Sequence, residues 1–184
     1  MNSSNPHKEQ LLMIVSRFPF PLDKGDKLRA YYQLRELSQT YRITLVALTD
    51  SKVDETALEQ IGKYCENLEV ISLTWFSKLS QMALCIFSNL PFQVGYFYSL
   101  KANSKIKQLI KENNFKCIYN QLIRTSEYTK NIHHISKTLD YMDTLSMGIK
   151  RRVELQPPHK KWLFKMEAKR LAKYEREIFD YFEH

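Results

Sequence analysis

The stretch "SRFPFPLDKGDKLRAYYQLREL" (16–37) leads from an apolar run into a helical pattern through two prolines, one glycine and a cluster of charges. Those residue types suit an anion. Gly25 lets the backbone come close to a ligand with no Cβ in the way. The helix that follows would offer free N–H groups and a positive dipole end. Arg29, about one turn in, could grip a phosphate or carboxylate at two points. Lys24, Gly25, Asp26 and Arg29 are therefore candidate substrate-binding residues. The plainer alternative is that Pro19, Pro21 and Gly25 only turn the chain while the charges are solvated, and local chemistry leaves both open. A single glycine makes neither GxGxxG nor GxxxxGK[ST], so a dinucleotide fingerprint or a P-loop is not expected.

A second candidate lies in "LDYMDTLSMG" (139–148), where Asp140 and Asp143 flank two large residues. Asp143, read as the end of a strand, is the candidate catalytic carboxylate: it could orient or deprotonate a hydroxyl, or simply cap the next helix. Asn120 and Arg124, further candidates for substrate binding, would line the same rim. His133 and His134 are adjacent in a helical reading, so they diverge by about 100° and read as surface histidines. No Ser-His-Asp order, GxSxG elbow or HExxH is present, and no metal is expected.

The elements that must position these groups follow from periodicity. "QLLMIVS" (10–16) and "YRITLVALT" (41–49) read as strands buried on both faces. Leu28, Tyr31, Leu34 and Leu37 recur at helical spacing between them, and 53–65 reads as a helix opened by acidic residues. "LEVISLT" (68–74) is a third strand, "WFSKLSQMALCIFSNLP" (75–91) an apolar helix, and "FQVGYFYS" (92–99) an aromatic connection. A basic helix (101–114), a strand (115–121), a helix (125–136) and a strand (137–144) follow. A long helix starts at the Pro157–Pro158 pair, with Trp162, Met166, Tyr174, Ile178 and Phe182 as its apolar stripe and Lys173/Glu177 and Arg176/Asp180 as i, i+4 pairs. The order predicts α/β: a doubly wound, mostly parallel sheet with helices on both faces, in one domain. In such sheets ligands sit outside the carboxyl ends of the strands, where the opening stretch falls.

The net charge of +8 suits an anionic partner. Residues 150–184 hold ten Lys/Arg against six Asp/Glu, half of that excess. The positive residues are spread over most helices rather than gathered among stacking aromatics, so nucleic acid is not the expected partner. Three cysteines without CxxC spacing predict reduced, buried thiols and a cytoplasmic compartment. No apolar run approaches the roughly 20 residues of a membrane span, and the N-terminus lacks the charged head and apolar core of a secretion signal. The aromatics of 75–99 either pack on the domain edge or grease an acceptor or a bilayer interface.

"RFPFPLDKGDKLRAYYQLRELSQTYRITLVAL" resembles the opening of bacterial GT-B glycosyltransferases of the large retaining family four, in the subgroup associated with exopolysaccharide and other surface glycans. The later segment is similar to that family's D-x-x-D-x-x-S strand end and the E-x-x-x-L-x-x-Y-E helix after it, here Glu167, Leu171, Tyr174 and Glu175. The resemblance implies the Rossmann-like, acceptor-side N-terminal domain of an enzyme whose donor-binding C-terminal domain is absent from these 184 residues, so that the chain alone would be inactive. It implies a nucleotide-diphosphate sugar as donor, a glycan or lipid-linked acceptor, no cofactor or metal, and peripheral contact with the inner face of the cytoplasmic membrane. Gly25 and its neighbours would approach the donor diphosphate, with Asp143 and Asn120 near the acceptor or the transferred sugar. The alternative is a non-catalytic α/β binding or adaptor domain with an anion-binding loop. A receiver-like version is disfavoured, because "SRFPFP" lacks the paired acids such a domain carries after its first strand.

Overall fold

The structure, a computed structural model, describes residues 8–141 and 144–183. The chain is α/β, with a five-stranded, wholly parallel sheet of order β3-β2-β1-β4-β5. Its strands are β1 (Gln10–Val15), β2 (Arg42–Thr49), β3 (Asn67–Ser72), β4 (Phe115–Gln121) and β5 (Ser136–Asp140). From β1 the chain builds outward through β2 to β3, then returns to pair β4 on the other side of β1. The gap between the carboxyl ends of β1 and β4 is therefore where strand order reverses, the position at which open α/β sheets take their ligands.

Alternation along β1 divides the core. Leu11, Met13 and Val15 face α1 (Gly25–Leu37) and α2 (Glu55–Gly62); Leu12 and Ile14 face α5 (Leu100–Glu112). Each fully buried aliphatic side chain contributes about 1.5–3 kcal/mol, which is why β1 reads as one apolar run: neither face meets water. Among the described residues, three helices begin at side-chain caps. Asp54 accepts from Ala57 N (2.7 Å), Thr74 from Ser77 N (3.2 Å) and Ser99 from Ala102 N (3.4 Å).

Between β3 and α5 lie α3 (Trp75–Phe87) and α4 (Phe92–Phe97). The aromatic connection expected over 92–99 is thus a short helix. Its first amides, Phe92 N and Gln93 N, donate to the Glu167 carboxylate at 3.0 and 2.9 Å, a cap supplied from 75 residues away. Gly95 allows the contact beneath it, since a Cβ there would overlap the buried Cys85 sulfur of α3. The helix expected over 125–136 is instead a short 3₁₀ helix (Ile123–Tyr128) and an irregular exposed loop that carries His133 and His134.

The chain then runs through α6 (Leu145–Val153) to α7 (Pro158–Phe179). The buried stripe of α7 is Glu167, Leu171, Tyr174 and Ile178, packed with Val94, Ile123, Leu139 and Ile149. This corrects the expected stripe at its N-terminal end, where Trp162 is exposed and Met166 only half-buried. Of the expected ion pairs on this helix, Lys173–Glu177 forms at 3.5 Å. In α1 the buried residues are Asp26, Ala30 and Leu34, while Leu28 lies outside. The three cysteines carry no disulfide; Cys85 is buried, Cys65 and Cys117 partly so. Among the described residues no helix is long and apolar enough to cross a membrane.

The buried stripe gives a direct stability test. Leu171→Ala is expected to cost about 2–5 kcal/mol through the cavity it leaves, whereas Trp162→Ala should stay within about 0.5 kcal/mol. Urea denaturation of the two variants distinguishes this face from the one expected by periodicity alone.

Candidate functional site

The crevice between β1 and β4 is built from the first residues beyond each strand. Arg17 follows β1, and its Nη1 meets Asp26 Oδ2, in the first turn of α1, at 2.5 Å. Arg124, in the 3₁₀ helix after β4, brings its Nη1 to 3.6 Å from the same oxygen. Two guanidinium groups thus share one carboxylate, and the cluster keeps a surplus of positive charge. Gln121, the last residue of β4, fixes the geometry by donating to the Asp26 carbonyl (2.7 Å). Phe97, from α4, lies beneath both cations, with its ring centre 5.6 Å from Arg17 and 4.9 Å from Arg124.

Arg124 is the more constrained of the two. Its Nη2 donates to Gln93 Oε1 at 2.9 Å, and its Nε is buried without a hydrogen-bond partner among the described residues. Burial, helped by repulsion from Arg17 and Arg152 and opposed by Asp26, pushes its pKa down to about 10. An added anion would relieve that unmet charge. Two more buried groups near these strand ends lack partners among the described residues: Ser16 Oγ after β1 and Asn120 Nδ2 in β4. Leu122, which turns the chain from β4 into the 3₁₀ helix, has φ 64° and ψ 152°, a conformation that L-residues adopt only under strain. Its N–H holds the Asp140 carbonyl (2.8 Å) and its carbonyl accepts from Thr125 N (3.1 Å), so both neighbours enforce the turn. The strained residue aims the segment that carries Arg124.

The expected site residues divide accordingly. Asp26 and Arg124 come together in the crevice. Asn120 lies beneath rather than on the rim: it is fully buried, and its Oδ1 accepts from Thr129 Oγ1 at 3.0 Å. Lys24 and Gly25 open α1 at the exposed edge, and no side chain caps this helix. Gly25 does not have a positive φ, and a Cβ there would meet open space, so the fold does not require glycine at this position.

Arg29 corrects an expectation. Its bidentate grip falls on the chain's own Asp140, Nε to Oδ2 at 2.7 Å and Nη2 to Oδ1 at 2.9 Å. Gln33 (2.7 Å) and Tyr119 (2.9 Å) donate to the same carboxylate. The strand expected over 137–144 ends at Asp140, and Asp143 lies outside the described residues. Thr144 occupies the N-cap position of α6, and Glu175 accepts from Ser146 N (3.0 Å) and Ser146 Oγ (2.6 Å).

Arg17, Gln93, Phe97 and Arg152 were not singled out from sequence. Arg17 stands directly after an apolar strand, a signal that was legible. The other three reach the crevice only through the packing of α4 and α6.

Two cavities adjoin this end of the sheet. One of about 290 Å³ lies between the opening loop and the β2–α2 loop, with Lys24, Lys27 and Lys52 facing Asp23, Asp50 and Asp54. The other, about 580 Å³ and mostly apolar, runs between α3 and α7 and has Gln93 and Arg152 in its wall. A larger polar cleft of about 940 Å³ opens at the amino ends of the strands, away from the crevice. Among the described residues no three His, Cys, Asp or Glu side chains gather where they could hold a metal.

Asp140 yields a pH prediction. Burial alone would raise its pKa, but Arg29, Gln33 and Tyr119 together hold it below the usual carboxylate range. A depressed folded pKa gives stability that is complete above the unfolded value of about 4 and is lost as pH falls through the folded one. Asp140→Asn should therefore cost about 2–3 kcal/mol at pH 7, the half-exposed Arg29 being partly screened, with the gap from the parent protein closing below about pH 4. Chemical denaturation across pH checks both. Compared with protein-family models, curated proteins and solved structures, the chain finds no match.

Proposed function

We propose that this chain is the acceptor-side domain of a GT-B glycosyltransferase, which moves a sugar from a nucleotide-diphosphate donor to a glycan or lipid-linked acceptor in surface polysaccharide synthesis. The observation that carries this reading is the pair Arg17 and Arg124 on the single carboxylate Asp26, at the point where strand order reverses. A departing diphosphate develops charge that fixed cations stabilise better than water does. Here the cations are anchored before any ligand arrives, and Lys24 with the uncapped start of α1 extends the positive surface outward. The donor-binding lobe would close over this rim, with Asp143 the candidate carboxylate acting on the acceptor, Asn120 supporting the rim from beneath, and no metal or cofactor taking part.

The family-like helix pattern adds support, since each of its positions has a structural task. Glu167 holds the first amides of α4, and Leu171 is fully buried. Tyr174 donates to Glu127 (2.6 Å) and shares a hydrogen bond with Ser126 (2.8 Å). Glu175 holds the start of α6. A pattern with such demands is what the resemblance would require of α7.

Inorganic pyrophosphate tests the anion site. At roughly ten times its Kd it should add about 1.4 kcal/mol, raising Tm by about 3–5 °C for a chain of this size. Arg124→Gln and Arg17→Gln should each abolish the shift. Transfer is tested separately, on the protein expressed from its whole reading frame with a panel of UDP- and GDP-sugars. Arg124→Gln is expected to lower kcat about 10²–10³-fold, and the 184-residue chain alone should turn over none of them. Pyrophosphate binding with no transfer by the whole protein would favour a non-catalytic anion-binding domain; robust transfer by the chain alone would overturn the two-lobe assignment.

A further inference from the structure

We propose that α3 and the adjoining side of α7 form a docking surface for a bilayer containing anionic lipid. Of the thirteen residues of α3, only Gln81 and Cys85 are buried. The outer side presents Trp75 (77% exposed), Phe76 (80%), Leu84, Ile86 and Phe87 (90%), and Trp162 of α7 stands 64% exposed. Contiguous apolar surface of this kind marks an interaction site rather than a solvated helix. The helix is held in place while exposing it, because Gly95 lets α4 seat directly against Cys85.

Charge selects the partner. Residues 74–91 contain one charged side chain, Lys78, and no Asp or Glu, while 145–170 carry eight Lys/Arg against two Asp/Glu. An apolar face with tryptophan and phenylalanine, bordered by cations, matches an interfacial helix whose rings enter the headgroup layer while the cations meet anionic lipid. A second copy fits poorly, since pairing this face with itself would bring two cationic borders together. The apolar cavity between α3 and α7, with walls of Leu79, Met82, Ile86, Phe92, Ile149 and Leu163, opens on this side and could accept a hydrocarbon chain; Arg152 in the same wall suits a lipid phosphate. The cavity shares Gln93 and Arg152 with the edge of the arginine crevice, but the exposed rings belong to α3 and α7, and the proposal does not rest on glycosyl transfer.

The chain carries its own reporter, for both of its tryptophans, Trp75 and Trp162, lie on the proposed face. The probes are vesicles of phosphatidylcholine alone and of equimolar phosphatidylcholine and phosphatidylglycerol. Expected are co-sedimentation and a blue shift of tryptophan emission with the mixed vesicles, and partition at least about tenfold weaker onto phosphatidylcholine alone. Phe76→Glu/Phe87→Glu should abolish partition while leaving Tm almost unchanged, because both rings are already in water. Lys160→Glu/Lys165→Glu should weaken it about tenfold or more. Absence of co-sedimentation with the mixed vesicles overturns the proposal. So does partition that survives Phe76→Glu/Phe87→Glu, which would mean adsorption by charge alone. A lipid-free blue shift accompanied by a dimeric mass in light scattering would assign the face to a second copy instead. With no phosphate or nucleotide in the assay, failure here leaves the crevice's function standing.

Discussion

Two guanidinium groups crowd one carboxylate where the sheet reverses its strand order, and the shape of the crevice follows from how that crowding is balanced. Asp26 can neutralise only one of Arg17 and Arg124. The remaining charge persists because Phe97 lies under both cations and Gln93 and Gln121 fix the edges. Left alone, the two arginines would separate into water. Here Arg124 is tied to a backbone turn that Leu122 makes at positive φ, so the strain of that turn and the repulsion between the cations are stored in one place. A diphosphate entering the crevice would meet donors already arranged, with little reorganisation left to make.

Carboxylates in this chain also act as long-range fasteners. Glu167 closes the start of α4, Glu175 the start of α6, and Asp140 draws Arg29 and Gln33 of α1 to the end of β5. Each places a negative charge against donors that would otherwise be unsatisfied at a helix end or strand edge, where burial makes an unmet polar group costly. The burial has an electrostatic consequence: Glu167 is pushed above the usual carboxylate range by desolvation, although the amides of Gln93 and Phe92 pull the other way. These contacts tie α4 and α6 to α7 alongside the apolar packing of Val94, Leu139, Ile149 and Leu171.

What sequence alone could reveal depended on whether the cause was local. β1, β2 and β4 were legible because continuous apolar runs have one explanation in a parallel sheet, and α2 because Asp54 and its acidic first turn announce a start. α4 was not, since its cap comes from Glu167, and neither was the Ile123–Tyr128 segment, whose 3₁₀ turn depends on Leu122. Periodicity placed a stripe on α1 correctly at Leu34 but counted Leu28 inward, where the buried neighbours are Ala30 and the charged Asp26. On α7 it missed that a glutamate would occupy the inner face while a tryptophan stayed outside. Arg29 had the chemistry expected of it, a bidentate grip on a carboxylate, and used it on Asp140. Asp26 and Arg124 were chosen from sequence and meet in the crevice; that Arg124 would compete there with Arg17 for one carboxylate requires knowing that β1 and β4 are neighbours.

α4 is the element that belongs to both surfaces. Gln93 lines the apolar cavity beside α3 and also accepts from Arg124, while Phe97 supports the two cations from below. Gly95, between them, presses on Cys85 of α3, and Glu167 of α7 holds the helix start. This six-residue helix is thus held at its start by Glu167, at its centre by Cys85 and at its edge by Arg124. A displacement of α3 or α7 at a lipid surface would therefore reach Gln93 and Phe97 together and change how firmly Arg124 is held. The coupling requires no extended network: one close-packed glycine, one capping glutamate and one glutamine amide connect the face that would meet lipid to the cation that would meet phosphate.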